Sequence, residues 1–195
     1  MKTQSLAKPL FILSIAAFSG ALLSAVALEQ APPAQVSQQA RVERGAHLVR
    51  TMGCNDCHTP WKMGPKWPEA DMSRALTGHP AEMVMPPPPP PSGPWIGHSG
   101  ATNTAFAGPW GVSFTANLTP DKETGLGAWT EEMFIQTMRT GRHQGKGRQI
   151  LPPMPYPMVG ALGDEDIKSL FAYLQSLAPV KNRVPAPVDP VEEKK

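Results

Sequence analysis

The chain has only two cysteines, Cys54 and Cys57, in 195 residues. A structural zinc site wants four protein ligands, and no further cysteine is present to complete one. Nothing resembling a strand–helix–strand pattern precedes the pair, which argues against a thioredoxin-like redox centre. Excess charge of either sign is also missing. With Lys2 and Lys8 set aside, 16 basic side chains face 16 acidic ones. That balance offers no electrostatic footing for nucleic acid and none for adhesion to a membrane surface. Aromatic residues are few, at 7%, so the apolar core the chain can build from its own side chains is small.

Proline and glycine are abundant, at 24 and 17 residues. Such a chain cannot be helical throughout, and a few helices joined by long, stiff loops are expected. Both cysteines fall in T-M-G-C-N-D-C-H-T-P, residues 51–60, with His58 directly after the second. A redox disulfide, half of a zinc site and the CxxCH attachment point of a c-type haem all compete for this motif. The haem reading uses every part of it. Two thiols reach two vinyl groups, and the adjacent imidazole becomes the proximal ligand of the iron. A large apolar cofactor serving as core would also account for the scarcity of aromatics.

The first residues bear on the choice. Lys2 and Lys8 precede an apolar stretch, Leu10 to Ala27, interrupted only by small residues. Ala25 and Ala27 give a small-x-small pattern, so cleavage after Ala27 is expected, leaving about 168 residues, enough for one domain. The alternative is an uncleaved anchor, since Pro9 to Leu28 is just long enough to span a bilayer. Either way the folded part is expected in the periplasm. Two exposed thiols there would pair or react, whereas a haem would consume both as thioethers.

Residues 1–27 are therefore expected as signal peptide or anchor, 28–37 as a disordered leader, 38–180 as one domain, and 181–195 as a disordered tail. Three helices are legible. Val36 to Met52 begins at a capping Ser37 and carries Val42, Ala46 and Val49 at helical spacing, with Gly45 and Leu48 on a neighbouring line. Thr130 caps T-E-E-M-F-I-Q-T-M-R-T, and Gly141 ends it. Asp164 is expected to cap residues 164–177, where Ile167, Leu170, Phe171, Leu174 and Leu177 form an apolar stripe. Residues 60–128 read as loops with room for a short hairpin or helical turn. The run Pro86 to Pro91 must be polyproline II and reads best as a rigid spacer.

A second iron ligand is sought among ten methionines and four further histidines. Met154, in P-P-M-P-Y-P, is the candidate, because the flanking prolines hold the backbone extended and can press one side chain into the porphyrin. Met158 is its rival. His79, His98 and His143 read as solvated loop residues, His47 as a surface or helix-packing residue of the first helix, and Met133 and Met138 as core.

CxxCH near the start, a methionine in a proline-rich loop and a closing helix with an aromatic–aliphatic stripe resemble the class I cytochromes c. The closer resemblance is to cytochrome c domains of multi-haem subunits of bacterial periplasmic dehydrogenases. It is carried by N-L-T-P-D-K-E-T-G-L-G-A-W-T (117–130), L-P-P-M-P-Y-P and D-E-D-I-K-S-L-F-A-Y-L-Q-S-L-A-P-V, and it covers about residues 38–180. It implies an all-α, cytochrome c-like fold: a few helices around one covalent haem c with long Pro/Gly-rich loops. It further implies thioethers at Cys54 and Cys57, His58 and Met154 as axial ligands, and residues 40–52 crossing 164–177 near the haem edge. The other ring nitrogen of His58 would bond a downstream proline carbonyl, with Pro60, Pro65 and Pro109 available. Read from the residues themselves, Trp110, Phe114 and Tyr156 are candidates for pocket walls or for ordinary core positions. One CxxCH implies one haem, and residues 80–105 look like a loop insertion.

The function implied is one-electron transfer by a non-enzymatic carrier between redox protein partners such as a dehydrogenase, other cytochromes or a terminal oxidase. A haem enzyme or gas sensor with an open sixth site, and a tethered relay subunit of a dehydrogenase or oxidase complex, are the alternatives. The cluster Arg139, Arg142, His143, Lys146 and Arg148 could meet the haem propionates, dock an acidic partner, or simply be solvated.

Overall fold

Ser37 starts the first helix. Its Oγ accepts from the backbone N of Ala40 at 3.1 Å, which satisfies one of the amides that a helix N-terminus leaves without a partner. The helix, α1, runs Gln38–Thr51 and buries Gly45, Leu48 and Val49. In the computed structural model residues 36–90 and 93–190 are described. The expected signal or anchor at 1–27 and nearly all of the expected leader lie outside them. Among the described residues no helix is long and apolar enough to cross a membrane.

Four more α-helices follow among the described residues: α2 at Cys54–His58, α3 at Glu131–Thr140, α4 at Tyr156–Gly160 and α5 at Asp164–Ser176. Thr130 caps α3 through its Oγ1, and Gly141 ends it in the left-handed region at φ 66°. The N-cap of α5 is Gly163, not the Asp164 expected from sequence. Asp164 instead occupies the first turn and pairs with Arg139 at 2.6 Å. With Glu165 and Asp166 it places three carboxylates at the positive end of the helix.

Helices α1 and α5 cross closely. A Cβ added at Gly45 would collide with the backbone of Ser169 and the side chain of Tyr173. Glycine therefore lets the two backbones touch, and Leu48 and Val49 then pack with Ile167, Leu170 and Leu174. The crossing is fastened at its rim by Arg41 to Glu165 at 3.0 Å and by the fork of Arg44 on Asp166 at 2.8 and 3.0 Å. Helix α3 joins the same core, with Phe134 and Phe171 ring centroids 5.3 Å apart.

The all-α expectation needs amendment between residues 60 and 115. Strands β1 (Trp61–Met63) and β2 (Pro68–Ala70) pair antiparallel, with Trp61 opposite Ala70. Strands β3 (His98–Ser99), β4 (Ala105–Gly108) and β5 (Gly111–Phe114) form a second antiparallel sheet in that order. Strands of two to four residues are too short to print an alternating pattern on the sequence. Pro86 to Pro89 of the polyproline run line a small cleft beside this sheet together with His98.

The tail expected to be disordered from residue 181 is fixed as far as residue 190. Asn182 is 6% exposed, and Val188 forms an antiparallel bridge with Val112, with N–O distances of 2.8 and 2.9 Å. A proline-rich strand pinned by isolated contacts looks, in composition, like a solvated one.

Candidate functional site

Gly53, at φ 70°, turns the chain out of α1 and into α2, a conformation that glycine adopts without strain. On α2, Cys54 and Cys57 stand three residues apart and His58 four from Cys54, so all three share one helical face. All three line a cavity of about 450 Å³, within the range of small-molecule and cofactor sites. Its walls are largely apolar, with Leu118, Leu126, Trp129, Phe134, Met138 and Leu170 among them. Protein interiors are otherwise close-packed, so the core of this chain is built around a space for an apolar group.

The two thiols are free of any disulfide. Burial pushes the Cys54 thiol up to about 11. Burial and then the Asp56 carboxylate raise that of Cys57. Both are therefore neutral S–H groups near neutral pH.

His58 is buried. Its Nδ1 lies 2.8 Å from the carbonyl oxygen of Ala116, and its own carbonyl accepts from the amide of Gly78 at 2.8 Å. A carbonyl can only accept, so Nδ1 carries the proton. Burial lowers the imidazole pKa, with the Ala116 bond working in the opposite direction. The neutral ring protonated at Nδ1 leaves a lone pair on Nε2, the form an iron needs. The carbonyl belongs to Ala116 rather than to Pro60, Pro65 or Pro109. The stretch 115–118 is held beside α2 by Thr115 N to Thr104 O at 2.9 Å and Leu118 N to Leu76 O at 2.9 Å, and neither contact carries a sequence mark.

Met154 lines the same cavity, half-buried against the core. Its loop is anchored on the N-terminal side of Met154: Ser113 Oγ donates to Pro152 O at 2.6 Å, and Ile150 N donates to Gly141 O at 2.8 Å. Met158 also borders the cavity but is 52% exposed. Cys54, Cys57, His58 and Met154 are thus brought together, and their thiols, imidazole and thioether fit a covalent haem.

Other candidates fall elsewhere. His79 is not a solvated loop residue but wholly buried. Its Nδ1 meets Thr104 Oγ1 at 2.9 Å and its Nε2 meets Met83 O at 3.0 Å, so neither nitrogen is free for iron. His98 is half-buried in β3, also against expectation. His47 is exposed on α1 and Met138 is core, as read from sequence; Met133, expected in the core, is 37% exposed. Of the predicted walls, Phe114 lines the cavity. Trp110 instead covers Gly97 and Gly108, and Tyr156 packs on Gly141. Phe106 and Trp129 are walls that sequence reasoning passed over, although Trp129 stands within the run 117–130.

In the basic cluster, Arg139 is occupied by Asp164 and the Gly160 carbonyl, and Arg142 by Gly147 O at 3.2 Å. Only His143 and Arg148 of the five border the cavity. His143 meets Trp129 edge-on, with centroids 5.0 Å apart.

Comparison with known proteins agrees with this geometry. The family model of cytochrome c matches residues 42–178. A nicotinate dehydrogenase subunit of Pseudomonas putida is 38% identical over 90 residues, which are 46% of this chain and 8% of that protein. The cytochrome c subunit of quinone alcohol dehydrogenase of Gluconobacter oxydans is 28% identical over 155 residues, 79% of this chain and 25% of the relative. The gluconate 2-dehydrogenase cytochrome c subunit of Pantoea cypripedii is 38% identical over 145 residues, 74% of this chain and 25% of the relative. The chain spans a quarter or less of the length of these relatives, so the likeness is to one segment of each. Matched across most of its length, and with its CxxCH on the wall of an apolar core cavity, the chain belongs to the cytochrome c family.

Proposed function

We propose that the protein is a periplasmic monohaem cytochrome c that carries single electrons between redox protein partners. The observation that carries this reading is the placing of a neutral His58, its proton fixed on Nδ1 by Ala116, in one cavity with both thiols and Met154. A haem held there would supply one-electron chemistry.

The residues do the rest. Cys54 and Cys57 would hold the haem as thioethers, and the His58 Nε2 and the Met154 sulfur would hold its iron. Leu118, Leu126, Phe134 and Leu170 keep water out and disfavour added positive charge, which favours the reduced state. The proline-flanked loop stiffens the backbone around Met154, so little would reorganise on electron transfer. The apolar stretch at residues 10–27 supports export.

A second reading, a relay subunit held within a dehydrogenase complex, is favoured by the names of the relatives, several of which are cytochrome subunits of dehydrogenases. Optical spectra of the exported protein test the first reading. A low-spin spectrum in both states, a near-infrared sulfur-to-iron band in the ferric form and no shift with carbon monoxide support a carrier. A high-spin spectrum that shifts with carbon monoxide overturns it in favour of an open iron. Recovery in a stable stoichiometric complex with a dehydrogenase selects the relay.

A further inference from the structure

The segment after residue 178 lies beyond the part of the chain that the family model matches. It is nonetheless tied into the structure around His58. Two loops touch that residue. One gives the amide of Gly78 to the His58 carbonyl at 2.8 Å, and the other gives the Ala116 carbonyl to Nδ1 at 2.8 Å. The C-terminal segment grips each loop at the adjoining residue. Asn182 Nδ2 donates to Thr77 O at 2.7 Å and to His79 O at 2.9 Å, the carbonyls on either side of Gly78. Its Oδ1 accepts from Ala81 N at 2.9 Å. Asn117, next to Ala116, donates its Nδ2 to Val180 O at 2.8 Å. Farther on, Pro187 is part of the cavity wall.

We infer that the strap 179–190 belongs to the haem site of this chain, and that Asn182 is a positioning residue for the His58 imidazole. This rests on the haem reading above. Asn182 fixes the backbone from which the imidazole swings, through Gly78 and the His58 carbonyl, while Ala116, beside the tied Asn117, gives the Nδ1–H bond its direction; a partner of that kind tunes a ligating histidine. Asn182 suits the task because an amide alone offers two donors and an acceptor on one short side chain. Aspartate has its shape without the donors, and would leave the Thr77 and His79 carbonyls without their partner.

The plane of an axial imidazole is read by the spread of haem-methyl resonances in the ferric protein and by the anisotropy of its low-spin electron-paramagnetic signal. Asn182→Ala and Asn182→Asp in the full-length protein are expected to keep covalent haem and a low-spin spectrum while changing the methyl spread. Arg44→Ala, a surface variant remote from His58, is expected to lose stability and leave the spread as in the wild type. A wild-type spread in destabilised Asn182 variants overturns the proposal, since Asn182 would then be a structural tie only. If neither Asn182 variant accumulates folded, Asn117→Ala cuts the second tie and is judged by the same criterion. Absence of covalent haem from the wild-type protein in a pyridine haemochrome assay overturns the underlying haem reading, an outcome distinct from both.

Discussion

The Ala116 carbonyl oxygen lies 2.8 Å from Nδ1 of His58, across 58 residues of chain. That contact decides which ring nitrogen keeps a free lone pair. His58→Ala removes the proposed ligand and leaves the thiols in place. The expected outcome is nearly complete conversion of the low-spin absorption spectrum to high spin, with carbon monoxide binding gained. An unchanged spectrum would assign the axial position to another residue.

Met154 and Met158 border one cavity and separate cleanly by mutation. Met154→Ala is expected to abolish the near-infrared band of the ferric protein, open the iron to carbon monoxide and lower the midpoint potential. Met158→Ala, at a half-exposed side chain, is expected to leave all three as they were. Voltammetry and spectroscopy on the pair check both statements, and reversed results would exchange the roles.

Gly45→Ala tests the crossing of α1 and α5. Helix propensity alone predicts a gain of about 1 kcal/mol for this change in a helix interior. The added methyl would strike the Ser169 carbonyl and the side chain of Tyr173, and overpacking of a tight core costs about 1–3 kcal/mol. Backbone cannot step aside as a flexible side chain can, so a net loss of up to about 2 kcal/mol is expected in chemical denaturation. A gain in stability would show that the helices can part without cost.

Stability should also fall in acid. The Arg44 guanidinium, by hydrogen bond and then by charge, holds the Asp166 carboxyl below its ordinary 3.8. A carboxylate with a depressed folded-state pKa stabilises the fold above its unfolded pKa, and that contribution is lost as pH falls through the folded value. The decline attributable to this pair begins near 3.8 and continues below it. Both partners are partly exposed, so solvent screens the pair and its contribution is small. Asp166→Asn should be slightly less stable at pH 7 and show a shallower decline in acid. Equal acid slopes for variant and wild type would leave the pair without weight.

The features legible in the sequence were those written in side-chain identity. Ser37, Thr130 and Gly141 mark helix ends by their chemistry, and the stripe from Ile167 to Leu174 marks a buried face by its spacing. Cys54, Cys57 and His58 announce themselves as a motif, and Met154 stands out between prolines. Contacts made by backbone were not legible. The Ala116 carbonyl could have been any carbonyl, and the short strands leave no alternation to read. Asn182 was hidden by the prolines around it, because composition reports what a segment cannot form and is silent on a single well-placed amide. His79 misled for a related reason. A histidine between glycine and proline looks solvated until Thr104 and the Met83 carbonyl arrive from elsewhere in the chain to satisfy it.

The joining of α1 to α5 has a consequence for the chain as it is made. The buried face of α1 is finished early, but its partner comes more than a hundred residues later, with Arg41 and Glu165 124 positions apart. Closing so long a loop is slow. Until it closes, Leu48 and Val49 have no cover from α5, while Cys54 and Cys57 stand on a wall that Leu170 and Pro187 have yet to complete. The order of synthesis thus leaves the thiols reachable first and shut in last, and a chain cut short before residue 164 would present an uncovered helix to any protease.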